Sequence, residues 1–348
     1  MFLASDNTGP VHPQIMQELL NANTGNVSSY GADAIMAEVR ETLRTIFEAP
    51  DAVVHLVATG TAANVLTLSC LTNPWDTIFC TSMAHINCDE CNAPEFYSGA
   101  KLTLVPSTKA KMTPAGLSSS IAGEGNRGVH GPQRGPVSIT QVTERGTLYT
   151  LDEISALANV ARQYGLPVHM DGARFANALV ALNCTPAQMT WKAGIDAVSF
   201  GGTKNGCMGV EACIIFDPSH AQHFELRRKR GAHLFSKHRY LSAQMKGYLK
   251  DDLWLTLAQQ ANATAQRLVR GLRNDERINL LYDVSANMIF FRASRGLHQK
   301  LMAGGAVYYV EDGPVSIGDI NAPLTGRLVT DWSMTEDAAD RFLRLLRE

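Results

Sequence analysis

No stretch of this 348-residue sequence approaches the roughly 20 consecutive apolar residues that a membrane-spanning helix needs. Its opening, Met1-Phe2-Leu3-Ala4-Ser5-Asp6, has no basic region ahead of an apolar core, so no secretory leader is expected. Charge of one sign is not in excess either: 31 Lys and Arg stand against 33 Asp and Glu, a net of −2. That balance offers no electrostatic footing for nucleic acid or an anionic membrane. The basic run Arg227-Arg228-Lys229-Arg230 reads as a solvated helix face for most of its members. Seven cysteines, an odd number, argue against a disulfide framework and for a reducing compartment, with the cytoplasm as the expectation. His85, Cys88 and Cys91 have ligand-like spacing, but no second cysteine pair at matching distance completes a closed zinc site, so no metal is expected.

What is present is an ordinary globular composition, 45% hydrophobic and 18% charged, in a chain long enough for one large and one smaller domain. Strand-like and helix-like patterns alternate from about residue 35 to 215, which predicts an α/β domain with a mostly parallel sheet. Helices are expected at Ala34 to Phe47, Ala62 to Leu71, Thr150 to Tyr164 and Pro186 to Ala193. Strands are expected at Val53 to Val57, Thr77 to Cys80, Leu102 to Val105, Pro136 to Thr140, Pro167 to Met170, Ala197 to Phe200 and Cys213 to Phe216. Ala110 to Gly135, rich in Gly, Ser and Pro, reads as a surface excursion. Beyond Arg230 a long helix (about Leu257 to Arg273) leads to Asn287 to Arg292, Val307 to Val310 and Arg327 to Thr330, then to a closing helix, Thr335 to Arg347. This predicts a smaller α+β domain. The division is an N-terminal segment over 1–30, a large domain over 31–245 and a small C-terminal domain over 246–348.

Four segments carry chemistry. Ser199-Phe200-Gly201-Gly202-Thr203-Lys204-Asn205-Gly206 ends a strand in a Gly-rich turn that delivers a lysine. In open α/β sheets ligands bind beyond the carboxyl ends of strands, and a nucleophilic lysine needs a pKa lowered by burial or neighbouring cations. Alone, a solvated turn lysine is an equal reading. His169-Met170-Asp171-Gly172-Ala173-Arg174 also follows a strand, one strand–helix–strand step earlier, which puts Asp171 and Lys204 at the same sheet edge. A carboxylate there keeps a pyridine nitrogen protonated, which makes the ring an electron sink. The plain alternative for Asp171 is a helix cap paired with Arg174. Val57-Ala58-Thr59-Gly60-Thr61-Ala62-Ala63-Asn64 opens a helix directly after a strand, a ready anion site for a phosphate. Met83-Ala84-His85-Ile86-Asn87 follows another strand end and offers a flat imidazole to the outer face of such a ring.

In this order the four segments resemble the low-specificity L-threonine aldolase family of fold-type-I pyridoxal-phosphate enzymes, over essentially the whole chain. The likeness runs from the opening Ala4-Ser5-Asp6-Asn7 through Tyr30-Gly31 to Arg327-Leu328-Val329-Thr330. The resemblance implies pyridoxal 5′-phosphate as cofactor, with Lys204 forming its Schiff base, Asp171 paired with the pyridinium nitrogen and His85 over the ring. It implies that Gly60, Thr61 and Thr203 hold the phosphate, and that Lys237 reaches it from a neighbouring subunit. Ser5, Arg174 and Arg327 match residues that clasp the substrate carboxylate. A homodimer or homotetramer is implied, with Tyr30 and Lys237 crossing the interface.

The implied reaction is cleavage of L-threonine, L-allo-threonine, phenylserine and related β-hydroxy-α-amino acids to glycine and an aldehyde. His85, directly or through water, is expected to take the hydroxyl proton. One departure leaves that acceptor open. Where many members carry Glu-Asn-Thr-His, this chain reads Gln141-Val142-Thr143-Glu144-Arg145-Gly146, so a second histidine is missing and Glu144 stands nearest its place. Other reactions on the same scaffold (β-elimination, transamination) and a non-catalytic cofactor-binding relative are the alternatives.

Overall fold

In the computed structural model, which describes residues 1–348, the alternating pattern becomes seven strands of one sheet. They are β1 (Val53–Val57), β2 (Asp76–Thr81) and β3 (Lys101–Val105), then, after a minor hairpin of β4 (Ser107–Thr108) and β5 (Lys111–Met112), β6 (Gln133–Thr140), β7 (Val168–Gly172), β8 (Ala197–Gly201) and β9 (Glu211–Ile215). The order across the sheet is β1-β9-β8-β7-β6-β2-β3. From β3 to β8 every neighbouring pair is parallel, while β9 runs antiparallel between β8 and β1. Strands β1, β2, β7, β8 and β9 are buried at every position, so the polar residues they carry, such as His169 and Asp171 of β7, must find partners inside the protein.

Two helices show how residues choose their places. Ala34–Ile46 is amphipathic, burying Met36, Val39 and Leu43, and is capped by Asp33, whose Oδ1 accepts the Met36 amide at 2.9 Å. Gly60–Cys70 has no polar face because every residue from Ala62 to Cys70 is buried; it packs against β8 and β9 and is covered by the helices Ala93–Ser98 and Ala221–Arg230. In the latter, Lys229 and Arg230 are exposed as a solvated face requires, but Arg228 is buried.

The parallel register aligns Thr140 of β6, Asp171 of β7 and Ser199 of β8 in one row near the carboxyl ends of the strands. Beneath Asp171, the His169 ring sits between two hydroxyls, with Nδ1 3.0 Å from Ser138 Oγ and Nε2 3.0 Å from Ser199 Oγ. Burial pushes this imidazole down to about 4, so it stays neutral and ties β6, β7 and β8 together beside the row.

The C-terminal part forms the second, antiparallel sheet expected of it: β10 (Asn279–Leu280), β11 (Met288–Ser294), β12 (Tyr309–Glu311) and β13 (Pro323–Val329), in the order β10-β11-β13-β12. The helix Leu253–Arg273 serves both units, placing Leu257 and Ala258 in the main core and Leu268, Val269 and Leu272 in the second. The N-terminus also joins the second core. Leu3 is fully buried there, its amide donates to Val307 O, and its carbonyl accepts from Val329 N, both at 2.8 Å. Val307, read as the start of a strand, is thus a bridge to the N-terminal segment, and β12 begins at Tyr309.

Some expectations change. The excursion at Ala110 to Gly135 contains a helix, Pro114–Gly123, capped by Thr113 with proline at its first position. Its small residues disguised it, although Thr-Pro was a start signal. Pro186 to Ala193 splits into Pro186–Met189 and a 3-10 turn, Trp191–Ala193.

Candidate active site

The turn after β8 holds Lys204 rigidly. Asn205, next to it, donates from Nδ2 to Tyr248 Oη and to Trp254 O, both at 2.8 Å. The Gly202 amide donates to Glu211 Oε2 at 2.8 Å, and burial raises the Glu211 carboxyl to about 7. Gly201 is required by close approach: a Cβ there would lie 2.4 Å from the Ala173 carbonyl oxygen. The positive charge of Arg174, and then burial, hold the Lys204 ammonium below its ordinary value, which favours the neutral, nucleophilic amine.

Asp171 ends β7 with both carboxylate oxygens engaged. Oδ1 accepts the Ala173 amide at 3.0 Å and Oδ2 accepts Asn64 Nδ2 at 2.9 Å. Asn64 Nδ2 also donates to Glu90 Oε1 at 2.9 Å, and that oxygen lies 2.7 Å from His85 Nδ1. A continuous chain therefore links Asp171, Asn64, Glu90 and His85. Neither Asn64 nor Glu90 was anticipated; the only signals were their places, one turn into the helix from Gly60 and shortly after His85. The hydrogen bond that the ring donates to Glu90 raises the His85 imidazole, against burial, which lowers it. Glu90→Gln should therefore bring the His85 titration midpoint down, which histidine proton resonances followed by NMR against pH would report; an unmoved midpoint would separate the pair.

Glu144, noted only as a departure, lies in the site. Its Oε1 accepts Thr140 Oγ1 at 2.7 Å and the His85 amide at 2.9 Å. Oε2 is buried and without a partner. Burial raises this carboxyl to about 6.

Arg174 is not the cap partner of Asp171. Its Nε and Nη2 donate to Asp6 Oδ2 and Oδ1 at 2.6 and 2.9 Å, a bidentate pair, and Asn287 Nδ2 also donates to Asp6 Oδ2 at 3.0 Å. Asp6 itself was not anticipated, although the neighbouring Ser5 was. Ser5 Oγ accepts the Asn7 amide at 3.1 Å within the same turn. Arg327 lies on β13 opposite Tyr309, its guanidinium 5.9 Å over the phenol ring. Burial, and then the charge of Arg174, lowers its pKa, so the two guanidiniums share one neighbourhood.

These groups share one cleft, with Lys204, Asp171, Arg174, His85, Glu144 and Gly60 in its wall. Thr61 and Thr203 adjoin wall residues without lining it, and Thr203 Oγ1 already accepts the Val210 amide at 3.2 Å. Tyr30 and Lys237 lie elsewhere on the surface: the Tyr30 amide donates to Ser236 O at 3.2 Å, Lys229 Nζ stands 5.4 Å over the Tyr30 ring, and Lys237 is exposed. His85, Cys88 and Cys91 form no metal-binding cluster, since no group of three potential ligands comes together anywhere in the fold.

The donor set fits pyridoxal 5′-phosphate. A lysine of lowered pKa and a buried carboxylate face one cleft, and nothing stands within 4 Å of a Cβ built at Gly60, at the head of an 11-residue helix. The first amides of such a helix have no partner in its own backbone. Residues 3–294 match the model of the beta-eliminating lyase family. The chain belongs to that family. Its relatives include low specificity L-threonine aldolases of Pseudomonas aeruginosa, 39% identical, and of a Pseudomonas species, 40% identical. Each match spans 307 residues, 88% of this chain and 88% of the relative. A solved threonine aldolase of Leishmania major superposes with a TM-score of 0.92 at 27% identity, covering 99% of this chain and 98% of that one. The architecture is that of the fold-type-I enzymes, and the family's cofactor is pyridoxal 5′-phosphate. No helix is long and apolar enough to cross a membrane.

Proposed function

We propose that this chain cleaves L-threonine, L-allo-threonine and related β-hydroxy-α-amino acids, such as phenylserine, to glycine and an aldehyde. The observation that carries this reading is the arrangement in one cleft of Lys204 and Asp171 with the Arg174 guanidinium, itself aimed by Asp6. The bound cofactor supplies an electron sink for the pair left on Cα when a bond to that carbon breaks. Everything else falls to the chain. Lys204 attaches the cofactor, Asp171 holds its ring nitrogen, and Asn64 keeps that carboxylate in place. Gly60, Thr61 and Thr203 receive the phosphate at the helix start, and His85, fixed through Glu90, covers the outer face of the ring. Arg174 and Arg327, with Ser5 beside them, clasp the substrate carboxylate. A planar carboxylate fixed in this way sets which Cα bond stands perpendicular to the ring.

On this reading residues 1–30 serve the site, 31–245 bind the cofactor and 246–348 form the smaller domain. The functional unit is a homodimer or homotetramer in the cytoplasm. The exposed patch that carries both Tyr30 and Lys237 supports a subunit boundary there, with Lys237 serving a neighbour's phosphate. Incubating the holoenzyme with L-threonine, L-allo-threonine and L-phenylserine should release glycine and the matching aldehyde from each. Ammonia with a keto acid would point to β-elimination, pyridoxamine phosphate to transamination, and no turnover at all to a non-catalytic relative.

A further inference from the structure

We propose that the carboxylate of Glu144 takes the β-hydroxyl proton of the substrate during carbon–carbon cleavage. The inference rests on the aldolase reading and assigns the group that reading leaves open.

Three observations carry it. The first is position. Glu144 follows β6 directly, Thr140 of that strand is level with Asp171, and Glu144 lines the same cleft as Lys204 and Arg174. The second is the division of labour between its two oxygens. Oε1 is held by the Thr140 hydroxyl and the His85 amide, which fixes the carboxylate plane. Oε2 is buried and has no partner. A carboxylate oxygen removed from water without a hydrogen bond is costly, and such groups recur where a ligand or a reacting proton completes them. A substrate hydroxyl is a donor of the right kind.

The third is the state of the competing base. His85 is committed at Nδ1 to Glu90, which leaves Nε2 as its one free nitrogen. The Glu144 carboxyl, raised by burial to about 6, is ionised at neutral pH yet basic enough to accept. Facing it are Asp171 on β7, Cys80 on β2, Tyr149 and His85, with Arg174 and Lys204 in the same cleft wall.

The step balances. The hydroxyl proton passes to Glu144 Oε2, and the O–H electron pair becomes the second bond of the aldehyde C=O. The Cα–Cβ bond breaks and leaves its pair on Cα, which then gains a proton to give glycine. Glu144 returns its proton to water, so no net proton is consumed. In the reverse direction protonated Glu144 donates to the nascent alkoxide.

Glu144→Gln in the holoenzyme keeps the acceptor for Thr140 and the His85 amide but removes the base. Its kcat for L-threonine cleavage should fall by ~10²–10⁴-fold. Exchange of the α-proton of glycine with D2O, which involves no hydroxyl, should stay within about threefold of wild type. The wild-type loss of kcat/KM on acidification through about pH 6 should vanish in the variant. Glu144→Asp, which keeps a base at the wrong distance, should cleave slowly and retain the acid limb. Unchanged cleavage in Glu144→Gln, an equal fall of cleavage and glycine exchange, or identical behaviour of the Gln and Asp variants would overturn the assignment. A wild-type enzyme that releases no glycine from the substrate panel would instead overturn the aldolase reading beneath it.

Discussion

Lys204→Ala should lose the visible absorbance of the bound cofactor and the cleavage of L-threonine together, with kcat down by roughly 10⁴-fold or more, as when other enzymes lose the nucleophile on which the chemistry depends. The size of the effect follows from the environment. Arg174 and burial favour the uncharged amine and outweigh the opposing carboxylates of Asp6, Asp171 and Glu211. Misfolding is not the expected cause of the loss. The turn is anchored by Asn205 on Tyr248 and Trp254 and by Gly202 on Glu211, none of which needs the lysine side chain. Far-UV circular dichroism and the thermal midpoint of the apo protein should therefore match wild type. A variant that still cleaves threonine at the wild-type rate would sink both the assignment and the reaction built on it.

Asp6→Ala is expected to cost stability and substrate affinity at once. The Asp6 side chain is fully buried and that of Arg174 nearly so, at 10% exposure. Removing one partner of a buried pair leaves an uncompensated charge, typically a loss of about 3–5 kcal/mol. Chemical denaturation would show that loss. The freed guanidinium also loses its aim, so KM for L-threonine should rise by more than tenfold while the cofactor band remains. Burial pushes the Asp6 carboxyl up, but the charge and hydrogen bonds of Arg174 outweigh it, and its pKa ends below the ordinary 3.8. A depressed carboxylate contributes stability above its unfolded value and loses it as pH falls through its folded value. Wild type should thus lose this contribution only below about pH 4, and Asp6→Ala should lack that part of the acid dependence. Equal denaturation curves for the two proteins at pH 7 would show that the pair does not matter.

How much of this was legible depends on the range of the interaction. Lys204, Asp171, His85 and Gly60 announce themselves because each follows a strand end within a few residues, and parallel strands bring their carboxyl ends together. Arg174 is expected from its motif to hold a carboxylate, but Asp6, which pairs with it, lies 168 residues away, and no local pattern marks such a pairing. Asn64 and Glu90 had the same weakness: an Asn inside a buried helix and a Glu in a short turn look structural until a third residue shows what they join. Glu144 was visible only as the residue standing where a histidine was expected; that Oε1 is occupied and Oε2 is not could come only from the fold. In the same way the helix Pro114–Gly123 hid among Gly, Ala and Ser, since burial of only Leu117 and Ile121 leaves little periodic signal.

The Asp6–Arg174 pair also says something about how the protein is made. Asp6 is fixed by Arg174 and by Asn287, the latter 281 residues along the chain, while Leu3 is threaded between Val307 and Val329 near the chain's far end. A chain growing from its N-terminus must keep its first residues waiting until almost everything else has been synthesised. Contacts of such long span are slow to close and leave apolar surface exposed in the interval. The wall around Lys204 and Asp171 comes from residues 60–204 and can form before that closure, whereas the Arg174 guanidinium is aimed only afterwards. A carboxylate ligand that binds Arg174 in the closed form and not in its precursors would pull the last step forward by mass action.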